Sequence, residues 1–283
     1  MTVECTVVAA PYKKDEVSED GFVVVSRPNV PFFVAVVDGH RTANVSKERA
    51  SNFSGLLASF LSAEFQKHCD PSRFAEMFEA ARERVNANPN YRGIGAVVTC
   101  VAVVGDKLHL AQAGDCQLHV SAKSNKFGSG SRLLTRDHVG ENQVEAERLQ
   151  PFIKAGTHML LMDTSGTGFM DSYLGLRLHF KEHGKWSYGS LQPTRGFGDH
   201  QFQPAFTHVP ETRVFDLNEY EGQLFALCSD GGSKLVRKVF AMMRHDNEED
   251  RSSLKYVTEQ AELLKYKRRF NDDDLTIVFF QVS

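Results

Sequence analysis

The clearest pattern along the chain is an apolar run that stops abruptly at an acid. Phe32 to Val37 carries β-branched and aromatic residues without polar alternation, which predicts a strand buried on both faces, and it leads into Asp38-Gly39-His40. An acid at the mouth of a core strand is costly unless a metal ion or another cation meets it, because an unpaired buried carboxylate loses its hydration. The pattern recurs. Leu224 to Cys228 runs into Ser229-Asp230-Gly231, Asp272-Asp273-Asp274 precedes the apolar Leu275 to Phe280, and Glu19-Asp20 precedes Gly21 to Ser26. In antiparallel strands the end of one abuts the start of its neighbour, so all these acids are expected on one rim of a sheet.

Elsewhere the period alternates between strand and helix. Val3 to Ala9 predicts an opening strand, and Gly21 to Ser26 with Phe32 to Val37 a hairpin through Arg27 to Pro31. Val45, Phe53, Leu56, Leu57, Phe60, Leu61 and Phe65 then recur at helical spacing, predicting a helix over 43–68; Asp70-Pro71-Ser72 breaks it before a second helix to Asn86. Strands are expected at 96–104, 107–113 and 117–121, with tight turns at Gly105-Asp106 and Gly114-Asp115. No chemistry is assigned to Asp115. After a glycine and serine loop (124–131) comes a short helix over 140–150, then a glycine-rich, weakly periodic stretch, 151–188, expected to be an insertion or long loops. Strands near 212–215 and 224–228, helices near 232–243 and 252–267 and the final strand complete the order. This is not the alternation of a doubly wound parallel sheet. It predicts an α+β fold of two antiparallel sheets flanked by helix pairs, and acids near both ends favour a single domain over 1–283.

Composition narrows the partners. The 283 residues are 41% hydrophobic and 24% charged with a formal net charge of −3, ordinary for a globular protein and without the basic excess that binds nucleic acid or an anionic membrane. The five cysteines (Cys5, Cys69, Cys100, Cys116, Cys228) are odd in number, lack CxxC spacing and read as reduced and buried. No apolar run approaches a membrane span, and the N-terminus lacks a signal-peptide pattern, so the cytoplasm or nucleus is the expected location.

Taken in order, the acidic and glycine-bearing blocks resemble the metal-dependent serine/threonine protein phosphatases of the 2C type. Glu19-Asp20 is similar to the first acidic motif, Asp38-Gly39-His40 to DGH, Gly93 to Val98 to the glycine-bearing strand entry and Gly114-Asp115-Cys116 to GDS. Leu134 to His138 resembles LTxDH, Glu145 to Leu149 the ExxRI helix, Gly189 to Asp199 GxLxxxRxxGD, Ser229-Asp230-Gly231 the late SDG and Asp273 to Thr276 DNxT. The resemblance implies an αββα sandwich carrying two Mg²⁺ or Mn²⁺ ions on the sheet edge. Asp38 would bridge them, Asp230 and Asp273 would complete one site, and Glu19 with the Gly39 carbonyl would serve the other. Asp137 with Asp230 would hold a weaker third ion. An oxygen-only ligand set suits these hard ions and argues against zinc. The implied reaction is hydrolysis of phosphoserine and phosphothreonine in proteins by an activated water, with His40 protonating the departing alkoxide.

Departures from the family pattern surround this set. The arginine that grips the substrate phosphate is replaced by Asp15, which leaves Lys14 after a one-residue shift, or Arg41, which stands where DGH normally continues with glycine. A cation there would open the helix against its dipole, so a role as replacement phosphate clamp is expected for Arg41. Asp274 replaces an asparagine and leaves the register of the 272–274 run open, and Gly232 to Lys234 replaces a tryptophan and acid. Arg195 either pairs with Asp199 or supports the site. The basic cluster 265–269 reads as a solvated helix end. The leading expectation is a monomeric enzyme acting on phosphorylated proteins; a pseudophosphatase serving as a docking module is the alternative, and a two-metal phosphodiesterase is remote.

Overall fold

Strand alternation explains the layering. In the computed structural model, which describes residues 2–41, 44–122, 130–162, 176–182, 185–186, 191–243, 253–267 and 273–283, successive residues of the central run point to opposite faces. In chain order the elements are β1 (Val3–Ala10), β2 (Gly21–Val25), β3 (Phe32–Arg41), α1 (Lys47–His68), α2 (Phe74–Asn86), β4 (Ile94–Val104), β5 (Lys107–Ala113), β6 (Gln117–Ser121) and β7 (Ser131–Leu133). They continue with α3 (Gln143–Lys154), β8 (His158–Met162), β9 (Leu176–Glu182), β10 (Lys185–Trp186), β11 (Phe197–Gly198), β12 (Glu211–Asp216), β13 (Leu224–Cys228), α4 (Asp230–Met243), α5 (Leu254–Leu264) and β14 (Leu275–Val282).

Two large antiparallel sheets form the centre, ordered β12-β5-β4-β3-β2 and β1-β14-β13-β6-β7. Phe32, Val34 and Val36 of β3 face the second sheet and meet Leu118, Phe225, Val278 and Phe280, with the Phe32 and Phe280 rings 5.3 Å apart. Phe33, Ala35 and Val37 face the other way, under α1 and α2, where Phe33 stacks on Phe65 at 4.5 Å. Ile277 and Phe279 of β14 pack likewise against Leu235, Val239 and Phe240 of α4 and Val257 of α5. The result is the expected αββα sandwich, and the unbroken apolar runs follow from strands covered on both faces. Among the described residues no helix is long and apolar enough to cross a membrane.

Several boundaries differ from expectation. The helix expected over 43–68 begins at Lys47, because β3 keeps pairing with β4 through Arg41, opposite Ile94, and Ser46 caps the helix instead. Arg41 is therefore a strand residue, and no helix dipole opposes it. α3 runs to Lys154, past Pro151, where the sequence suggested a stop. The stretch 151–188 is not simply loops: β8, β9 and β10 form a third, three-stranded antiparallel sheet. Its signal is the alternation Leu176, Leu178, Phe180 against Arg177, His179, Lys181; Leu178 is buried in a small core with Leu149, Leu191 and Phe202. Most of the 124–131 loop, Gly189, Asp272, the end of the 265–269 cluster and residues 163–175 of the expected insertion lie outside the described residues.

Candidate metal centre and active site

The acids gather where the two sheets open, not on the rim of one sheet. β13 and β14 are antiparallel neighbours, so Asp230, after β13, and Asp273, before β14, fall at the same end of the second sheet. Asp20 and Asp38 come from the first sheet, where Gly21 pairs with Val37. Across a cleft of about 460 Å³, Glu19, Asp20, Asp38, the Gly39 backbone, Asp115, Asp230, Asp273 and Asp274 line one space together with His40. Gly39 has a steric reason to be glycine: a Cβ there would collide with the Glu19 carbonyl and the Ser54 hydroxyl.

Electrostatics mark this cleft as short of positive charge. Burial pushes Asp38 well above the usual carboxylate range, and the neighbouring Asp230, Asp20, Asp115 and Asp273 push it further. Asp20 is raised to about 8 by burial and by Asp274 and Asp230, although the Ser229 hydroxyl donates to it at 2.8 Å. Asp115 is likewise raised to about 8, by burial and then by Asp230 and Asp137. Among the described residues no three His, Cys, Asp or Glu side chains converge on a ready-made coordination point. An all-oxygen set from five chain segments fits divalent hard ions.

Asp273 lines the cleft, whereas both oxygens of Asp274 accept backbone N–H groups, from Tyr12 at 2.5 Å and Glu19 at 2.7 Å. Asp274 thus ties the segment before β2 to the start of β14, while Asp273 faces the cleft. Asp137 lies beside the cleft with both oxygens held by Gln117 Nε2 at 2.9 and 3.1 Å; burial raises its pKa. Arg41 lines the cleft but donates to Glu19 at 2.9 Å and to the Val45 carbonyl at 2.8 Å. Burial raises Glu19, and Arg41 offsets part of that rise. Lys14 is exposed and does not line the cleft; Lys47, which also pairs with Glu16 at 2.8 Å, and Arg177 of β9 do.

His40 sits opposite Gly95 in the β3–β4 ladder, and its Nε2 lies 2.5 Å from Asp199 Oδ2. Burial alone would lower its pKa, but the charge and hydrogen bond of Asp199 more than reverse this. Arg195 does not take that carboxylate. It donates to Glu145 Oε1 through Nε at 2.9 Å and Nη2 at 2.5 Å, so of the two roles open to Arg195 the pair with Asp199 does not form, and a pair with Glu145 of α3 takes its place.

Reasoning from sequence missed Asp115, Asp199, Lys47 and Arg177 as cleft or site residues. Asp115 follows the strand Leu108 to Ala113 much as Asp38 follows its own, but His109 and Gln112 interrupt the apolar run, so the signal was weaker. Asp199 had none, since it meets a residue 159 positions earlier.

Comparison with known proteins agrees with this picture. The profile of one family, Protein phosphatase 2C, matches residues 14–245. A rice (Oryza sativa subsp. japonica) protein kinase and PP2C-like domain-containing protein is 25% identical over 206 residues, covering 69% of this chain and 27% of its own, so the chain spans about a quarter of that relative. The crystal structure of serine-threonine phosphatase 2C from Toxoplasma gondii superposes with a TM-score of 0.67 at 13% identity, covering 98% of this chain and 94% of the other. The catalytic domain of the serine threonine protein phosphatase PstP in complex with 2 manganese ions gives 0.56 at 15% identity, covering 99% and 97%. At these identities the superpositions establish the fold. With the profile matching most of its length, the chain belongs to the protein phosphatase 2C family.

Proposed function

We propose that this protein hydrolyses phosphoserine and phosphothreonine in other proteins with the help of Mg²⁺ or Mn²⁺. The observation that carries the reading is the group of buried carboxylates from both sheets around one cleft, with the cations Lys47 and Arg177 among its walls. Glu19, Asp38, the Gly39 carbonyl, Asp230 and Asp273 would hold two ions, Asp20 and Asp115 join them by position, and Asp137 with Asp230 would hold a weaker third. Bound there, divalent ions supply the acidity that makes a water nucleophilic and the charge that neutralises the phosphate. Asp274 and Ser229 fix the backbone and carboxylate positions around them.

His40 is the group that gives a proton to the departing serine or threonine oxygen, a poor leaving group as an alkoxide. His40→Ala is expected to slow a phosphoserine peptide by roughly 10²–10⁴-fold and an aryl phosphate, whose leaving group is already good, far less. Equal losses on both substrates would deny His40 that role. The phosphate is met by cations of the cleft wall, Arg41, Lys47 and Arg177; Arg41 also donates to Glu19 and Val45, and Lys47 also pairs with Glu16. Lys47→Ala and Arg177→Ala should each raise KM for the peptide while leaving Mn²⁺ affinity intact, and Lys14→Ala should do little. A KM that responds to Lys14 and ignores the other two would return the clamp to the N-terminal segment.

A further inference from the structure

His40 is held from behind by a carboxylate brought from a distant part of the chain. Asp199 follows β11, which pairs with β4 through Phe197 opposite Ala96 and Gly198 opposite Gly95, while His40 pairs with Gly95 from the other side of β4. The two side chains therefore meet over a single residue of β4. That residue must be glycine, because a Cβ on Gly95 would overlap both Asp199 Oδ2 and His40 Nε2. Asp199 itself occupies the left-handed region, φ 47°, where a non-glycine residue is uncommon and a small polar one is tolerated best. Its side chain is 4% exposed against 29% for His40, so the imidazole reaches the cleft while the carboxylate stays behind it. Such a backbone conformation, a buried acid and an obligatory glycine all serve one 2.5 Å contact.

We propose that Asp199 is the positioning residue for His40; this rests on the reading of His40 as the proton donor. Asp199 accepts Nε2–H, which fixes the ring plane and leaves Nδ1–H as the proton that can be passed on. During the reaction the water oxygen bonds to phosphorus, losing one proton to solvent, as the bond from phosphorus to the serine or threonine oxygen breaks. The Nδ1 proton moves to that oxygen and gives a neutral hydroxyl. The imidazole is left neutral with Nε2–H still on Asp199, ready to regain a proton at Nδ1 from solvent. Asp199 touches neither substrate nor ion in this scheme and acts only through His40.

The test compares wild type, His40→Ala, Asp199→Asn and the double variant on a phosphothreonine peptide and an aryl phosphate, with Mn²⁺ affinity measured separately by calorimetry. Asparagine suits the left-handed backbone, and Asp199→Gly, which suits it equally, serves as the second variant should the first fold poorly. Asp199→Asn is expected to lower kcat on the peptide by roughly 10- to 100-fold, part of the ~10²–10⁴-fold that a general acid supplies. KM and Mn²⁺ affinity should hold, and the aryl phosphate should be nearly unaffected. In the His40→Ala background the second substitution should cost nothing further, because the two residues act as one unit. Equal losses on both substrates, additive losses in the double variant or weakened Mn²⁺ binding would overturn the proposal. Were His40→Ala itself to slow both substrates alike, the reading of His40 would fall and this proposal with it.

Discussion

Mn²⁺ is expected to raise the unfolding temperature of this protein by roughly 5–10 °C over its value in excess chelator. An ion at a hundred times its dissociation constant stabilises the folded state by about 2.7 kcal/mol, and domains of comparable size gain ~2–4 °C per kcal/mol. The sign of the pH dependence follows from the buried acids. Asp20 and Asp115 have folded values of about 8 and Asp38 is pushed well above the ordinary range, all chiefly by burial. The unfolded value of an aspartate is about 3.9. Without metal, Asp20 and Asp115 contribute stability that is fully present below about pH 4 and lost as pH rises through about 8, and Asp38 acts in the same direction. Divalent ions replace the missing protons, so the gap between Mn²⁺ and chelator should widen from pH 5 to pH 8. Asp38→Asn removes one of the repelling charges together with the proposed shared ligand, and should narrow that gap at the higher pH. A melting temperature indifferent to metal and chelator at pH 8 would mean that the acids do not act as one site.

Arg195→Ala should be among the most destabilising single changes, by about 3–5 kcal/mol, because it leaves a buried carboxylate without its main partner. Glu145 is fully buried, accepts from Arg195, from Thr194 at 2.6 Å and from Arg148 at 3.0 Å, and joins α3 to the segment leading into β11. Burial alone would raise its pKa; the hydrogen bonds of Arg195 and Thr194 and the charges of both arginines more than reverse this and hold it at about 2. A carboxyl depressed in the folded state stabilises above its unfolded pKa, ~4.3, and loses that contribution as pH falls through about 2. The difference is worth on the order of 3 kcal/mol. Urea unfolding of wild type and variant at pH 7 and pH 3 reads this directly: the two should differ strongly at neutral pH and less at pH 3, where the wild type has begun to lose the term. A variant as stable as wild type at pH 7 would show that Arg195 is not the partner that makes the burial of Glu145 tolerable.

The two sheets and their helices were legible because β3, β4, β13 and β14 are covered on both faces and must be apolar without interruption. The acids that end those strands were legible for the same reason, since an isolated Asp38 after Phe32 to Val37 has no structural excuse. What could not be read from local pattern was which side chain meets which. Arg195 and Asp199 lie four residues apart in the same motif and look like partners, yet the αL turn at Asp199 and the bare Cα of Gly95 send its carboxylate to His40, while Arg195 finds Glu145 on α3. Arg41 looked like the first cation of a helix because the apolar run stops at Val37; backbone pairing with Ile94 carries the strand four residues further, through polar side chains that give no strand signal. Lys47, first residue of α1, and Arg177, on a strand hidden in a glycine-rich stretch, reach the cleft only through the way their elements pack.

The most direct test of the central claim is the release of phosphate from a phosphothreonine peptide by the purified protein, with Mn²⁺ and with excess chelator, beside Asp38→Asn. A phosphatase built on the acids between the two sheets releases phosphate with Mn²⁺, stops in chelator and is silent with Mn²⁺ once Asp38 is asparagine. Undiminished release in chelator would contradict a metal centre in the cleft, and no release under any condition would leave the fold as a docking module without catalysis.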